Sequence, residues 1–503
     1  MANGESFDVV VIGAGLGGLL SAAQFLRRGQ RVAIVERLAH PGGRFTAKTF
    51  QGAQVSTGAV HMLPFGTNGE LAAMLRALGV PHSIHDSEVF ASFHVRGRQL
   101  VCRSVLQLAG VLGARQFAQF ARLGYEMLLR EPRPEDRTLT YREWLDRRIS
   151  RARSPELYAY FERVCHFALS VDLDDVAYPE IVETTKNMFR YGAPGIVDGG
   201  CAALTGELER RVVSAGGTLL LQHDVLAIEH EHDTVTGIRV RDKQTGEVRL
   251  LAAPLIVSNI GPTATSRLVD VAIPATTAAL AASGARALAP SVLRADAPTT
   301  DDAAVECAPP ANRQRRVAAG LKCHLLSEES IIPHRGILYC LDTERIAGIV
   351  QPSNSDRRLA PPGKHLLITH QLLKSEDVNA EREAARADLR RLFGDDFGTK
   401  ITLLTMSQYR GEWPVNRAVQ GEDAIPRTDL AGLYLVGDAV KPSGYLMVEG
   451  VAQSVNALLD TLDAPALVPV ATTSASHSHT PAKPLKRRAF HWLLAPPPPH
   501  AGS

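Results

Sequence analysis

Residues 8–36, DVVVIGAGLGGLLSAAQFLRRGQRVAIVE, restrict what this chain can fold into more than any other stretch. A run of β-branched residues, Val9–Ile12, enters GAGLGG, which sets Gly13, Gly15 and Gly18 at the G-x-G-x-x-G spacing. The apolar segment 19–26 reads as a buried helix, with Arg27 and Arg28 at its negative end and Gly29 as its stop. A second β-branched strand, Val32–Val35, follows at once and ends in Glu36. Gly13 permits the tight turn, Gly15 lets the backbone approach a diphosphate, and Gly18 lets helix and strand pack closely. Free amide N–H groups and the helix dipole then face the phosphates. Glu36 lies about 20 residues past the glycines, where a dinucleotide fold places the carboxylate that accepts from a ribose hydroxyl. On its own this stretch holds NAD as readily as FAD.

Two further segments choose between them. Pro41, Gly42, Gly43 and Arg44 form PGGR shortly after Glu36, and VGDA occupies residues 436–439 ahead of an apolar helix. With the opening fingerprint they resemble the flavoprotein family that contains phytoene desaturases, carotenoid isomerases and amine oxidases. The resemblance implies an α/β protein, with a discontinuous Rossmann-like FAD-binding domain joined to an α+β substrate-binding domain. FAD is the implied cofactor. Leu16 and Gly17 complete the first phosphate loop, and Arg37 adjoins Glu36. By the same resemblance Gly42, Gly43 and Arg44 lie along the diphosphate and ribityl chain, where a guanidinium clamps phosphate oxygens in a fork. It also makes Asp438, after Gly437, the acceptor for a ribityl hydroxyl, and sets Val225 beside the adenine through its backbone. Gly450 and Val451 belong to a helix N-terminus aimed at the flavin, where negative charge builds on reduction. Where the family often carries Asp-x-Gly, this chain has Ser56, Thr57 and Gly58.

A chain of 503 residues with 45% hydrophobic content can bury a large core. Its net charge of +2 argues against a nucleic-acid partner. Six scattered cysteines without a C-x-x-C pair read as buried or inert thiols. The tail histidines His477, His479, His491 and His500 lack metal-site spacing, so no metal is expected. The N-terminus carries acid rather than base, and no run of 18 or more apolar residues is present. The expectation is a cytoplasmic protein, with peripheral contact at the inner face of the membrane left open.

The expected cofactor unit comprises residues 1–68, 192–290 and 395–463; the substrate unit, 69–191 and 291–394; and a disordered tail, 464–503. Segment 70–80 has helical spacing. Segment 101–130, largely apolar and punctuated by Arg103, Arg115, Arg122 and Arg130, admits two readings: a pair of core helices, or a basic amphipathic surface lying on lipid. Strands are expected at 225–229, 235–241 and 248–252 as an antiparallel meander, and at 255–261 as a buried strand. An alanine-rich helical region runs to Ala289, and a Pro/Asp-rich break spans 297–310. Residues 321–369 alternate apolar and polar like a half-buried sheet, and 377–393 reads as an amphipathic helix.

No second G-x-G-x-x-G supplies a nicotinamide site, so electrons are expected to leave for oxygen or a quinone. The pocket candidates are His61, Trp413 with Pro414, Asn416 and Arg417, and Tyr445; none is compelled as catalytic. Glu449 is awkward beside a flavin and is expected to turn aside or to face substrate. The leading expectation is a desaturase-like enzyme dehydrogenating a long apolar isoprenoid by hydride transfer to flavin N5. A polyene cis–trans isomerase, an amine oxidase and a non-enzymatic prenyl-lipid carrier are the alternatives, in that order.

Overall fold

In the computed structural model, residues 5–58, 60–269, 319–410 and 423–463 are described. The opening β-branched strand becomes the middle of a five-stranded parallel sheet, ordered Thr218–Leu220, Val32–Val35, Val9–Ile12, Leu255–Ser258, Leu433–Leu435. Successive side chains on a strand point to opposite faces, and here both faces are covered. Val9 and Val11 pack under the helices Leu16–Arg27, Gly200–Ser214 and Met447–Asp463. Val10 and Ile12 pack against the antiparallel meander His223–Glu231, Thr234–Asp242 and Val248–Ala252. Burying each such side chain contributes about 1.5–3 kcal/mol, which is why the strand tolerates no polar residue. The meander gains a fourth strand that the sequence did not signal, Glu5–Ser6, parallel to Val248–Ala252.

The second unit is built on a seven-stranded sheet, ordered Ile401–Arg410, Ala319–Ser327, His365–Leu372, Gly348–Val350, Leu338–Cys340, Ala91–Val95, Arg98–Cys102. One face carries helix Val378–Phe393, N-capped by Asp377. The other carries the helices between residues 108 and 191. This corrects two expectations. Residues 401–410 belong to this sheet and not to the cofactor unit, because they hydrogen-bond along the whole of Ala319–Ser327. That strand is not half-exposed either: its polar members Lys322 and His324 are buried, pointing toward Ser56. A small antiparallel sheet of Met62–Leu63, Gly195–Val197 and Ile84–Asp86 ties the units together.

Helix Leu108–Leu129 breaks at Gly113, whose φ of 73° only glycine adopts freely. Leu108, Val111, Leu112, Leu123 and Met127 enter the core, while Leu106, Tyr125 and Leu129 stay exposed. Among the described residues no helix is long and apolar enough to cross a membrane. Cys102, Cys165, Cys201, Cys323 and Cys340 are buried free thiols. Cys307, the alanine-rich region beyond residue 269, the 297–310 break and the tail lie outside the described residues.

Candidate cofactor and active site

The carboxyl ends of the parallel strands open on a cleft of about 640 Å³. Such an end, flanked by a glycine turn and a helix N-terminus, is where an α/β sheet binds dinucleotides. Gly13, Gly15, Leu16, Gly17, Glu36, Arg37, Gly42, Gly43, Arg44, Val225, Asp438 and Val451 all line it. The two loops are stitched together, since Gly42 N–H donates to Ala14 O at 2.8 Å. Glu36 accepts from Ala14 N–H at 2.8 Å and from Leu38 N–H at 2.9 Å, which fixes its carboxylate while leaving lone pairs for a ribose hydroxyl.

Three of the expected cofactor residues do not line the cleft; they let elements approach each other. A Cβ on Gly18 would stand 2.0 Å from Gly13 O. A Cβ on Gly437 would meet Asn259 Oδ1 at 2.6 Å, and one on Gly450 would meet the Lys441 side chain at 2.7 Å. The room at Gly450 lets buried Lys441 run beneath the last helix, where Nζ donates to Asp423 Oδ1 at 2.9 Å and to Asp438 O at 2.8 Å. Against the opposing effect of burial, Asp423 and Asp438 hold Lys441 above its ordinary pKa. Burial pushes Asp423 up to about 6. On its other side Asp438 is paired with Arg44 at 2.8 Å, so the acid expected on the ribityl chain and the arginine expected on the diphosphate touch each other.

The pocket candidates are placed differently from expectation. His61 is fully buried and does not line the cleft; Nδ1 accepts from Cys201 N–H at 3.1 Å and Nε2 pairs with Gln54 O at 3.0 Å. It thereby caps helix Gly200–Ser214, a task that requires a neutral ring. Burial, with the Lys322 charge adding to it, holds His61 down at about 4. Tyr445 is likewise set back, edge-on to Phe65 with centroids 6.5 Å apart, its hydroxyl 3.2 Å from that of Tyr191. Trp413, Pro414, Asn416 and Arg417 lie outside the described residues. Glu449 turns aside: it accepts from Leu71 N–H at 2.9 Å and Phe65 N–H at 3.4 Å, capping helix Glu70–Leu78. Burial pushes it up to about 7.

Other wall residues carry no sequence motif. Asn259 directly follows strand Leu255–Ser258, and its carboxamide lies against Gly15, Gly17 and Gly437. Its place after a buried strand was the one available signal. Thr57, Gly58, Met62, Tyr409, Met447 and Val448 form a largely apolar stretch of the wall, while His223, Asp224, Arg241 and Arg267 add polar lining elsewhere. Met447 opens the last helix at φ 41°, a conformation rare outside glycine. Away from the cleft, Glu162, His166 and Asp172 bring ligand atoms within 4.8 Å of one another. Arg142 bonds Asp172 at 2.5 Å and Arg151 lies 3.7 Å from Glu162, so arginines already balance these acids.

A model of the family described as flavin containing amine oxidoreductase matches residues 16–454 of the chain. The crystal structure of an oxidoreductase from Methanosarcina mazei is similar with a TM-score of 0.74 at 31% identity, covering 90% of this chain and 99% of that one. An uncharacterised protein of Methanocaldococcus jannaschii is 29% identical over 445 residues, 88% of this chain and 96% of its own length. A chloroplastic prolycopene isomerase of an Oncidium hybrid cultivar is 35% identical over 74 residues, 15% of this chain and 13% of that protein.

Proposed function

The chain belongs to the family of flavin-containing amine oxidoreductases, and from that premise we propose that it is an FAD-dependent dehydrogenase of a long, apolar isoprenoid. The family and the fold make it a flavin oxidoreductase. The substrate class rests on one observation. Among the described residues, the carboxylates lining the cleft are Glu36, Asp224 and Asp438. Glu36 and Asp224 flank the end lined by Arg37 and Val225, and Asp438 is already paired with Arg44. The wall of Thr57, Gly58, Met62, Tyr409, Met447 and Val448 thus presents no fixed anion to hold an ammonium group, and it suits a hydrocarbon.

Under this reading Gly13, Gly15, Gly17, Gly42 and Gly43 admit the diphosphate to backbone N–H groups, and Glu36 holds the adenosine ribose. FAD, when bound, supplies the two-electron acceptor for the substrate's hydride. The protein's own contribution is to seat a C–H bond against the apolar side chains of Met62, Met447 and Val448. A polyene isomerase is the second reading, favoured by the short identity with prolycopene isomerase.

The test is anaerobic. Purified protein is expected to be yellow and to release FAD on denaturation, and its absorbance is then followed with a panel of isoprenoids and amines. Bleaching by a saturated-bond isoprenoid such as phytoene supports dehydrogenation. Isomerisation by photoreduced enzyme without net electron transfer supports the second reading, and bleaching by amines alone overturns both.

A further inference from the structure

We propose that Tyr409 and His370 form a proton-accepting pair at the apolar end of the cleft, Tyr409 as the catalytic residue and His370 as the positioning residue behind it. The inference rests on the dehydrogenation reading and adds the group that completes it. Removing two hydrogens from adjacent carbons requires one to leave as hydride and the other as a proton. The apolar wall offers two hydroxyls, those of Thr57 and Tyr409. Thr57 Oγ1 is spent on backbone carbonyls, 3.1 Å from both Arg44 O and Thr46 O. Tyr409 instead has a base behind it: its hydroxyl lies 2.9 Å from His370 Nε2, with the two rings stacked 14° from parallel.

The surroundings are shaped for this contact. His370 is buried, at 4% exposure. Ser170 closes the turn Cys165–Leu169 in the left-handed region, φ 58°, and this brings its Oγ to 3.4 Å from the same Nε2. Opposite Tyr409 in the sheet register stands Gly320, where a Cβ would lie 2.4 Å from the tyrosine hydroxyl oxygen. Any other residue at 320 would push that hydroxyl off its histidine.

The step balances as follows. One substrate C–H bond breaks with its electron pair leaving as hydride to FAD, the acceptor named above. The adjacent C–H bond breaks with its pair forming the new C=C. That proton passes to Tyr409 Oη as the tyrosine's own proton passes to His370 Nε2, so the net product beside the alkene is His370 imidazolium. Nothing in this requires a tyrosinate at rest.

The experiment is stopped-flow reduction of the FAD-loaded enzyme by phytoene in detergent micelles, comparing wild type, Tyr409→Phe and His370→Gln. Positioned proton transfer contributes about 100-fold or more, so both variants are expected to lose at least about 100-fold in limiting bleaching rate, with half-saturation changed by less than about threefold. The wild-type rate is expected to fall in D2O, and that sensitivity to vanish in Tyr409→Phe. If Tyr409→Phe fails to load FAD, His370→Gln carries the test, because His370 does not line the cleft and glutamine still accepts from the tyrosine. Variant limiting rates within about threefold of wild type, or losses confined to half-saturation, overturn the proposal while leaving dehydrogenation standing. Failure of the wild type to bleach with phytoene overturns the dehydrogenation reading, and this proposal with it.

Discussion

Arg44 and Asp438, 394 positions apart in the chain, meet in a 2.8 Å ion pair on the cleft wall. The contact joins the PGGR loop to the end of the last parallel strand, and Lys441 approaches the same carboxylate at 3.8 Å from the other side. Each group is preoriented by the other, and neither is free to wander when a ligand enters.

Asp438→Ala is therefore expected to weaken FAD binding about 10- to 100-fold, the worth of one charge-assisted hydrogen bond at about 1.5–3 kcal/mol. The measurement is quenching of FAD fluorescence on titration into apoprotein. Affinity indistinguishable from wild type would remove Asp438 from the cofactor contacts.

Gly18→Ala places a methyl 2.0 Å from Gly13 O, which is backbone and has nowhere to go. Overpacking of this kind costs about 1–3 kcal/mol, and here the strain falls on the phosphate loop itself. A lowered Tm together with lost FAD is expected; a Tm loss with full FAD content would show that the loop is more tolerant than its geometry implies.

His61→Ala is expected to act on stability and not on chemistry. It removes the acceptor for Cys201 N–H and leaves a cavity, for about 1–3 kcal/mol in denaturant unfolding. The flavin in the remaining folded protein should be reduced at the wild-type rate. A selective rate loss at unchanged stability would return His61 to the active site.

Glu449 gives a pH signature whose sign is opposite to that of a salt-bridged acid. Its folded pKa of about 7 exceeds the ordinary 4.5, so between those values the folded state holds the proton more tightly than the unfolded state does. Stability from this group is present below about pH 4.5, falls as pH rises to about 7, and is flat above. Glu449→Gln should abolish that slope, so the wild-type minus variant difference in Tm should shrink steadily over the window. Parallel Tm profiles for the two proteins would contradict the assignment.

The cofactor half of the molecule was legible because its requirements are local. Gly13, Gly15 and Gly18 answer to backbone geometry within one turn, and Val9–Ile12 to burial on both faces, so each leaves a mark on adjacent letters. The substrate half was not, because its decisive contacts are made across a sheet. Lys322 and His324 alternate with Leu321, Cys323 and Leu325 as in any amphipathic strand; their burial depends on Ser56, far away in the chain. Tyr409 was invisible for the same reason, since its place was fixed by pairing with Gly320 and not by its neighbours. His61 stayed ambiguous between a structural and a catalytic role because a buried helix-capping histidine and a catalytic one look alike in sequence.

The strand order of the parallel sheet also has a consequence in time. Its edge strand, Leu433–Leu435, and the helix that completes the cleft, Met447–Asp463, come late in the chain, whereas the strand they flank, Leu255–Ser258, pairs with residues near the start. A nascent chain emerging from the ribosome therefore makes the first phosphate loop early and must hold it open through synthesis of the entire substrate unit. Such long-range closure is slow and leaves apolar strand surface unpartnered meanwhile. Fragments ending before residue 433 should need chaperone protection, and capture of cofactor should wait until residues 433–463 have been made.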